Sequence, residues 1–150
     1  MKRSAGILLY QTQPLSFFLV HPGGPLWKNK DSGAWSIPKG EFADDEQPLA
    51  AAIREFNEET GQSLEIDLEY KKLRPVRLKS GKQVYAWALE KYIDAENIAS
   101  NTFEIEWPPR SGRRIEVPEV DKAAWFSLEE GMSKINGAQQ AFLLEVSEMA

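Results

Sequence analysis

Apolar residues along this chain recur at two spacings, and the change from one to the other marks out the elements. Continuous or alternating runs at 5–10 and 17–20 predict two strands, joined by a hairpin connection over 11–16 that contains Pro14. His21-Pro22-Gly23-Gly24-Pro25 breaks the pattern, and 26–33 continues as loop before a short strand at 35–37 that leads to Pro38. From about residue 47 to Thr60 the spacing is helical, with Leu49, Ile53 and Phe56 on one stripe and Gly61 as the stop. Asp44 and Asp45 are candidate N-caps, and Pro48 falls in the first turn. Farther on, 64–73 and 74–78 read as extended, Ser80-Gly81 as a turn and 83–91 as a strand. Residues 104–118, rich in Pro and Arg, read as a loop or lid. A strand at 123–126 precedes two helices, 128–135 and 137–149, the last with Phe142, Leu143, Leu144 and Val146 as its apolar positions. Helices flanking a mixed sheet predict an α/β or α+β layered fold, with 1–150 as one domain.

Composition narrows the chemistry. A chain of 150 residues buries roughly 70% of its unfolded surface when folded, enough for a real core. It has no cysteine, which removes disulfides, thiolate zinc sites and a cysteine nucleophile. A net charge of -5 speaks against broad nucleic-acid binding through a basic surface. No segment approaches the length of a membrane-spanning helix, and MKRSAGILLY is too short for a secretory signal and suits a first strand, so a cytoplasmic protein is expected. Nothing in the chain marks a dimer surface, which leaves monomer and homodimer both open. Basic residues gather at Lys71, Lys72, Arg74, Arg77, Lys79 and Lys82, and again at Arg110, Arg113 and Arg114. Solvated strand edges account for them as readily as anion contacts do.

The acidic residues of the predicted helix are less ordinary. Glu55, Glu58 and Glu59 stand at i, i+3 and i+4 and share one face. Glutamate-rich helices usually carry weak, solvated ion pairs, but the last turn here has no Lys or Arg beside Glu58 and Glu59. Those two acids also sit at the negative end of the helix dipole. A hard divalent cation such as Mg²⁺ or Mn²⁺ relieves the repulsion, because such ions prefer oxygen ligands.

Residues 40–62, GEFADDEQPLAAAIREFNEETGQ, resemble the Nudix box, G-x5-E-x7-R-E-U-x-E-E-x-G-U, where U is a bulky apolar residue. Gly40, Glu46, Arg54, Glu55, Glu58, Glu59 and Gly61 occupy all seven literal positions, and Phe56 fills the first U. Gln62 departs from the pattern, being polar where the family has an aliphatic residue that packs beneath the loop. Trp35-Ser36-Ile37-Pro38-Lys39-Gly40 is similar to the W-x-x-P-K-G lead-in of many Nudix hydrolases, diadenosine polyphosphate hydrolases among them. The run from Glu119 to Phe126 is similar to the family's closing strand.

The resemblance implies a Nudix α/β/α sandwich with a mixed sheet, and an enzyme using Mg²⁺ or Mn²⁺ to cleave the pyrophosphate link of a nucleoside diphosphate joined to another group. It implies Glu55, Glu58, Glu59 and the main-chain carbonyl of Lys39 as metal ligands, with Gly40 permitting a close backbone approach. Arg54 is expected to orient Glu46 or Glu58, making Glu46 a structural partner. The general base is a box glutamate or a later acid: Glu119 is the leading later acid, with Glu116 and Glu106 as rivals. Phosphate contacts are expected from Lys39 and from Arg110, Arg113 and Arg114 if their loop folds over the site. Tyr85, Trp27, Trp87 and Trp107 are candidates for stacking on a base, whereas Trp35 and Trp125 belong to the core and His21 to loop packing. The expected partner is a nucleotide-type small molecule, a nucleoside or dinucleoside polyphosphate before ADP-ribose or a nucleotide sugar. A non-catalytic nucleotide-binding Nudix module is the competing class, although such modules usually lose box glutamates and this chain keeps them all.

Overall fold

The two-sided burial of the first strand organises the molecule. In the computed structural model, which describes residues 2–150, β1 (Arg3–Gln11) is buried from Ser4 to Tyr10. A strand covered on both faces needs a layer of side chains on each, which is why its sequence reads as a continuous apolar run. Ala5, Ile7 and Leu9 join one core with Phe18, Val20, Trp87 and Leu89. That core is closed by Ala51, Ala52 and Phe56 of α1 (Pro48–Thr60). Leu8 and Tyr10 join the other core with Phe17, Leu19, Ala86 and Ala88, closed by Phe142, Leu143 and Val146 of α3 (Gln140–Met149). The result is an α/β/α sandwich. Truncating the fully buried Phe56 to Ala would cost about 3–5 kcal/mol.

Both edges of β1 are paired. One runs parallel to β6 (Gln83–Glu90) from Arg3↔Gln83 to Tyr10↔Glu90. The remaining edge is shared: β2 (Ser16–Pro22) pairs at Tyr10 and Gln11, and β3 (Lys39–Glu41) pairs at Ser4, Ala5 and Gly6. Short edge strands β4 (Lys71–Lys72) and β5 (Val76–Arg77) lie on β6, and β9 (Val120–Ser127) lies on β2. The remaining helix, α2 (Leu128–Lys134), is capped by Ser127, whose side chain accepts from the Glu130 amide.

Four expectations need correction. Residues 35–37 make only single bridges, Val20↔Ser36 and Trp35↔Ile135, and paired strand begins at Lys39 after Pro38, which has no N–H to offer a ladder. Neither Asp44 nor Asp45 caps α1; its N-cap is Gln47, with no side-chain cap, and Asp44 instead pairs with Arg3 at 2.9 Å. Residues 64–78 are mostly irregular, with only the two-residue strands β4 and β5 in them. Residues 104–118 are not a loop: β7 (Thr102–Glu106) and β8 (Arg114–Pro118) form an antiparallel hairpin. Phe103, Ile105, Ile115 and Val117 alternate there with Glu104, Glu106, Arg114 and Glu116, a period of two that the prolines and arginines of the tip obscure.

Candidate active site

The floor of the site is the last two turns of α1. Glu55 faces inward, only 8% exposed, because the stripe that buries Ala51, Ala52 and Phe56 also carries it toward β3. Gly40 makes that possible. A Cβ at Gly40 would lie 1.9 Å from Glu55 Oε2, so any side chain there would expel the carboxylate. The helix ends cleanly beyond Thr60: Gly61 takes φ 75°, which glycine adopts without strain, and donates to the Asn57 carbonyl.

Arg54 organises the acids around it. Its Nε and Nη2 donate to the two oxygens of Glu46 at 2.7 and 2.9 Å, a bidentate pair. Its Nη1 donates to Glu55 Oε1 at 2.9 Å and to Glu58 Oε2 at 3.1 Å. The guanidinium thus holds both Glu46 and Glu58, and Glu55 besides. It keeps Glu46 below the usual carboxylate range.

Glu119 arrives from the other side. It is the single residue between β8 and β9, held by its own amide on the Asn101 carbonyl at 2.8 Å and by the Gly23 amide on its carbonyl at 3.1 Å. Asn101 in turn donates to the Glu58 carbonyl, which ties this turn to the end of α1. Carboxylate oxygens of Glu55, Glu59 and Glu119 lie within 4.8 Å of one another. Burial first, and Glu58 second, pushes Glu55 up to about 7 against the pull of Arg54. Burial pushes Glu59 up to about 8 against the pull of Lys39, and Glu119 is raised by burial and by Glu58. Clustered, desolvated carboxylates that resist ionisation are an all-oxygen donor set, and that chemistry fits Mg²⁺ or Mn²⁺.

Lys39 borders the cluster. Its amide donates to Glu59 Oε1 at 3.2 Å, and burial lowers its ammonium with Glu59 opposing. A cavity of about 220 Å³ opens beside it, between Lys39, Glu59 and Glu119 on one side and Trp27, Ser36, Asn136 and Gln139 on the other. Asn136 and Gln139 were not signalled by the sequence, where Asn136-Gly137 shows only as a break between helices. The other candidates lie elsewhere. Arg114 pairs with Glu104 at 3.0 Å on the exposed hairpin, Arg110 and Arg113 are exposed near its tip, and Glu106 accepts from the amides of Arg110 and Gly112. Tyr85 packs edge-on to Phe42 and donates to Gln83, and Trp87 is core. Trp35 belongs to the core under α3, and Trp125 packs edge-on to Phe18 of the other core with its indole N–H on the Ile93 carbonyl. His21 lies on β2, which runs past the expected end at Val20, and is buried between Asp121 and the Lys30 carbonyl, where it packs against the following loop.

The NUDIX domain family model matches residues 1–144. This chain belongs to the NUDIX domain family. The NUDIX domain, with every box glutamate in place, supports a pyrophosphohydrolase. Solved structures share the fold of this Nudix chain. An Ap4A hydrolase from C. elegans, in a binary complex, is 20% identical over 97% of this chain and 96% of its own, with a TM-score of 0.64. A MutT protein from Methanosarcina mazei Go1 is 20% identical over 99% and 94%, with a TM-score of 0.63. The NUDIX domain of Shewanella oneidensis NrtR, complexed with ADP ribose, is 16% identical over 98% and 86%, with a TM-score of 0.62. No curated protein sequence matches the Nudix chain significantly. Among the described residues, no helix is long and apolar enough to cross a membrane.

Proposed function

We propose that this Nudix chain hydrolyses a pyrophosphate bond in a nucleoside or dinucleoside polyphosphate with the help of Mg²⁺ or Mn²⁺. The observation that carries the reading is the convergence of Glu55, Glu59 and Glu119, the last two of which also line a cavity with Lys39 and Trp27. Glu55, Glu59 and the Lys39 carbonyl would hold the ion, with Glu58, one oxygen of which accepts from Arg54, as a further ligand. Once bound, the ion neutralises phosphate charge and supports the leaving oxygen. Arg54 keeps Glu55 and Glu58 aimed, and Glu46 keeps Arg54 in place. The Glu119 carboxylate accepts the proton of the attacking water; its upward shift brings it nearer neutrality, where a general base works best.

The cavity supports the choice of substrate. At about 220 Å³ it falls below the roughly 300–1,000 Å³ of sites that enclose a drug-sized ligand, and it suits one planar base rather than a whole nucleotide. Trp27 provides a stacking face and Lys39 a cation toward the phosphates. The Ap4A hydrolase name of one similar structure agrees with this reading, and the ADP ribose of another makes that ligand the first competitor.

The test is product release, with Mg²⁺ or Mn²⁺, from diadenosine tetraphosphate, the common nucleoside triphosphates, ADP-ribose and nucleotide sugars, with Glu59→Gln as control. Turnover of a polyphosphate, lost in the variant, is expected. Turnover of ADP-ribose or a nucleotide sugar alone would refute the substrate class. No turnover by a folded, metal-binding protein would favour a binding module.

A further inference from the structure

The segment that delivers Lys39 to the site lacks a backbone partner at one point. Trp35 is paired on the side of the C-terminal segment: its amide donates to the Lys134 carbonyl at 3.0 Å and its carbonyl accepts from the Asn136 amide at 2.7 Å. Ser36 is paired on the opposite side, exchanging both bonds with Val20. The alternation of an extended chain then directs the Ile37 amide back toward the C-terminal segment. That segment has by then turned into a 3-10 helix at Gly137–Gln139, so it has no strand backbone to offer.

The Gln139 side chain supplies the missing group. It is 1% exposed and its Oε1 accepts from the Ile37 amide at 3.0 Å. Its Nε2 donates to Ser36 Oγ at 3.0 Å, and Ser36 Oγ donates onward to the Ile37 carbonyl at 2.7 Å. A primary amide thus stands where the next peptide group of a paired strand would be. Two residues later come the Lys39 amide, bonded to Glu59, and the Lys39 carbonyl.

We infer that Gln139 is a positioning residue for the metal site, acting through Ile37 to set the height of Lys39 against Glu59. This rests on the reading of the Lys39 carbonyl as a ligand. Gln139 touches neither metal nor phosphorus in this role. The requirement is an acceptor oxygen for the buried Ile37 amide, because a buried N–H without a partner shifts toward one.

The experiment is Mn²⁺ titration of metal-free protein, followed by the paramagnetic signal of free Mn²⁺, for wild type, Gln139→Met, Gln139→Glu and Glu59→Gln. Methionine keeps the volume and loses the acceptor, whereas glutamate keeps the acceptor in either protonation state. Gln139→Met is expected to weaken Mn²⁺ binding about tenfold, the scale of lost support for a ligand, and Gln139→Glu to stay within about threefold of wild type. On a turned-over substrate the Met variant loses kcat at near-constant KM. A role in packing alone reverses the order, since the apolar side chain then outperforms the acid, and that result would overturn the inference. If Gln139→Met does not fold, Gln139→Asn takes its place, because its shorter arm withdraws the oxygen from the Ile37 amide: weaker Mn²⁺ binding is expected, and wild-type binding overturns the inference. Glu59→Gln separates the two readings, because undiminished binding in that variant refutes the metal site itself, and the positioning role with it.

Discussion

Gly40→Ala is the smallest change that should empty the site of one of its acids. The new Cβ would lie 1.9 Å from Glu55 Oε2, 2.0 Å from Cδ and 2.4 Å from Oε1. An ordinary contact is about 3.4 Å, so the carboxylate has to retreat by roughly 1.5 Å. Gly40 is not among the residues with positive φ, so alanine strains no backbone, and the β1–β3 pairing at Ala5↔Gly40 can persist. The retreat is taken up by the side chain. It breaks the 2.9 Å bond to Arg54 and removes an oxygen from the 4.8 Å cluster. A misplacement on the order of 1 Å at a catalytic group costs about 10²-fold in rate, so kcat should fall by about that factor or more. Circular dichroism and the melting temperature should show the fold retained. Turnover within about twofold of wild type would refute the argument that Gly40 exists to seat Glu55.

The elevated carboxylates make metal-free protein lose stability as pH rises through neutrality. Folded-state values of about 7 for Glu55 and about 8 for Glu59 exceed the ordinary 4.5, so the folded form binds more protons than the unfolded chain in that window. Stability in chelator therefore falls as pH rises from about 5 to 8, less so in Glu59→Gln, and Mn²⁺ restores it at the upper end by mass action. A melting temperature that climbs over this range, equally in both proteins, would count against the assignment. Glu119→Gln should lower kcat by about 10²-fold or more, the usual worth of a general base, while weakening Mn²⁺ binding less than Glu59→Gln does. Parallel loss of both would make Glu119 a ligand instead. Trp27→Ala should raise KM several-fold with kcat within about twofold, since the ring is a wall of the cavity and 39% exposed. A fall in kcat at constant KM would contradict its role in binding.

How far the site can be read from the chain depends on the range of each interaction. Glu55, Glu58 and Glu59 are legible because helical spacing alone puts them on one face. That spacing does not say what the face meets. Glu55 is drawn inward against Gly40, and Glu58 gives one oxygen to Arg54, so Glu55 and Glu59 close on Glu119, which approaches from a different strand. The resemblance at 119–126 singled out that acid, although its backbone anchors at Asn101 and Gly23 are set only by the fold. Gln139 leaves no local trace, for its partner Ile37 is 102 residues away. The hairpin of β7 and β8 is masked in the sequence because prolines and arginines dominate its tip, while the alternation lies in its arms. Arg110, Arg113 and Arg114 are conspicuous in the sequence for the same reason, and in the fold they lie on that exposed hairpin, outside the lining of the cavity.

All of these outcomes depend on the carboxylate cluster being a divalent-metal site. That site is probed by calorimetric titration of metal-free protein with Mn²⁺, in wild type, Glu55→Gln and Glu59→Gln. Saturable binding is expected in wild type, weakened by about tenfold or more in each variant. Equal binding in all three proteins, or none in folded wild type, would contradict it.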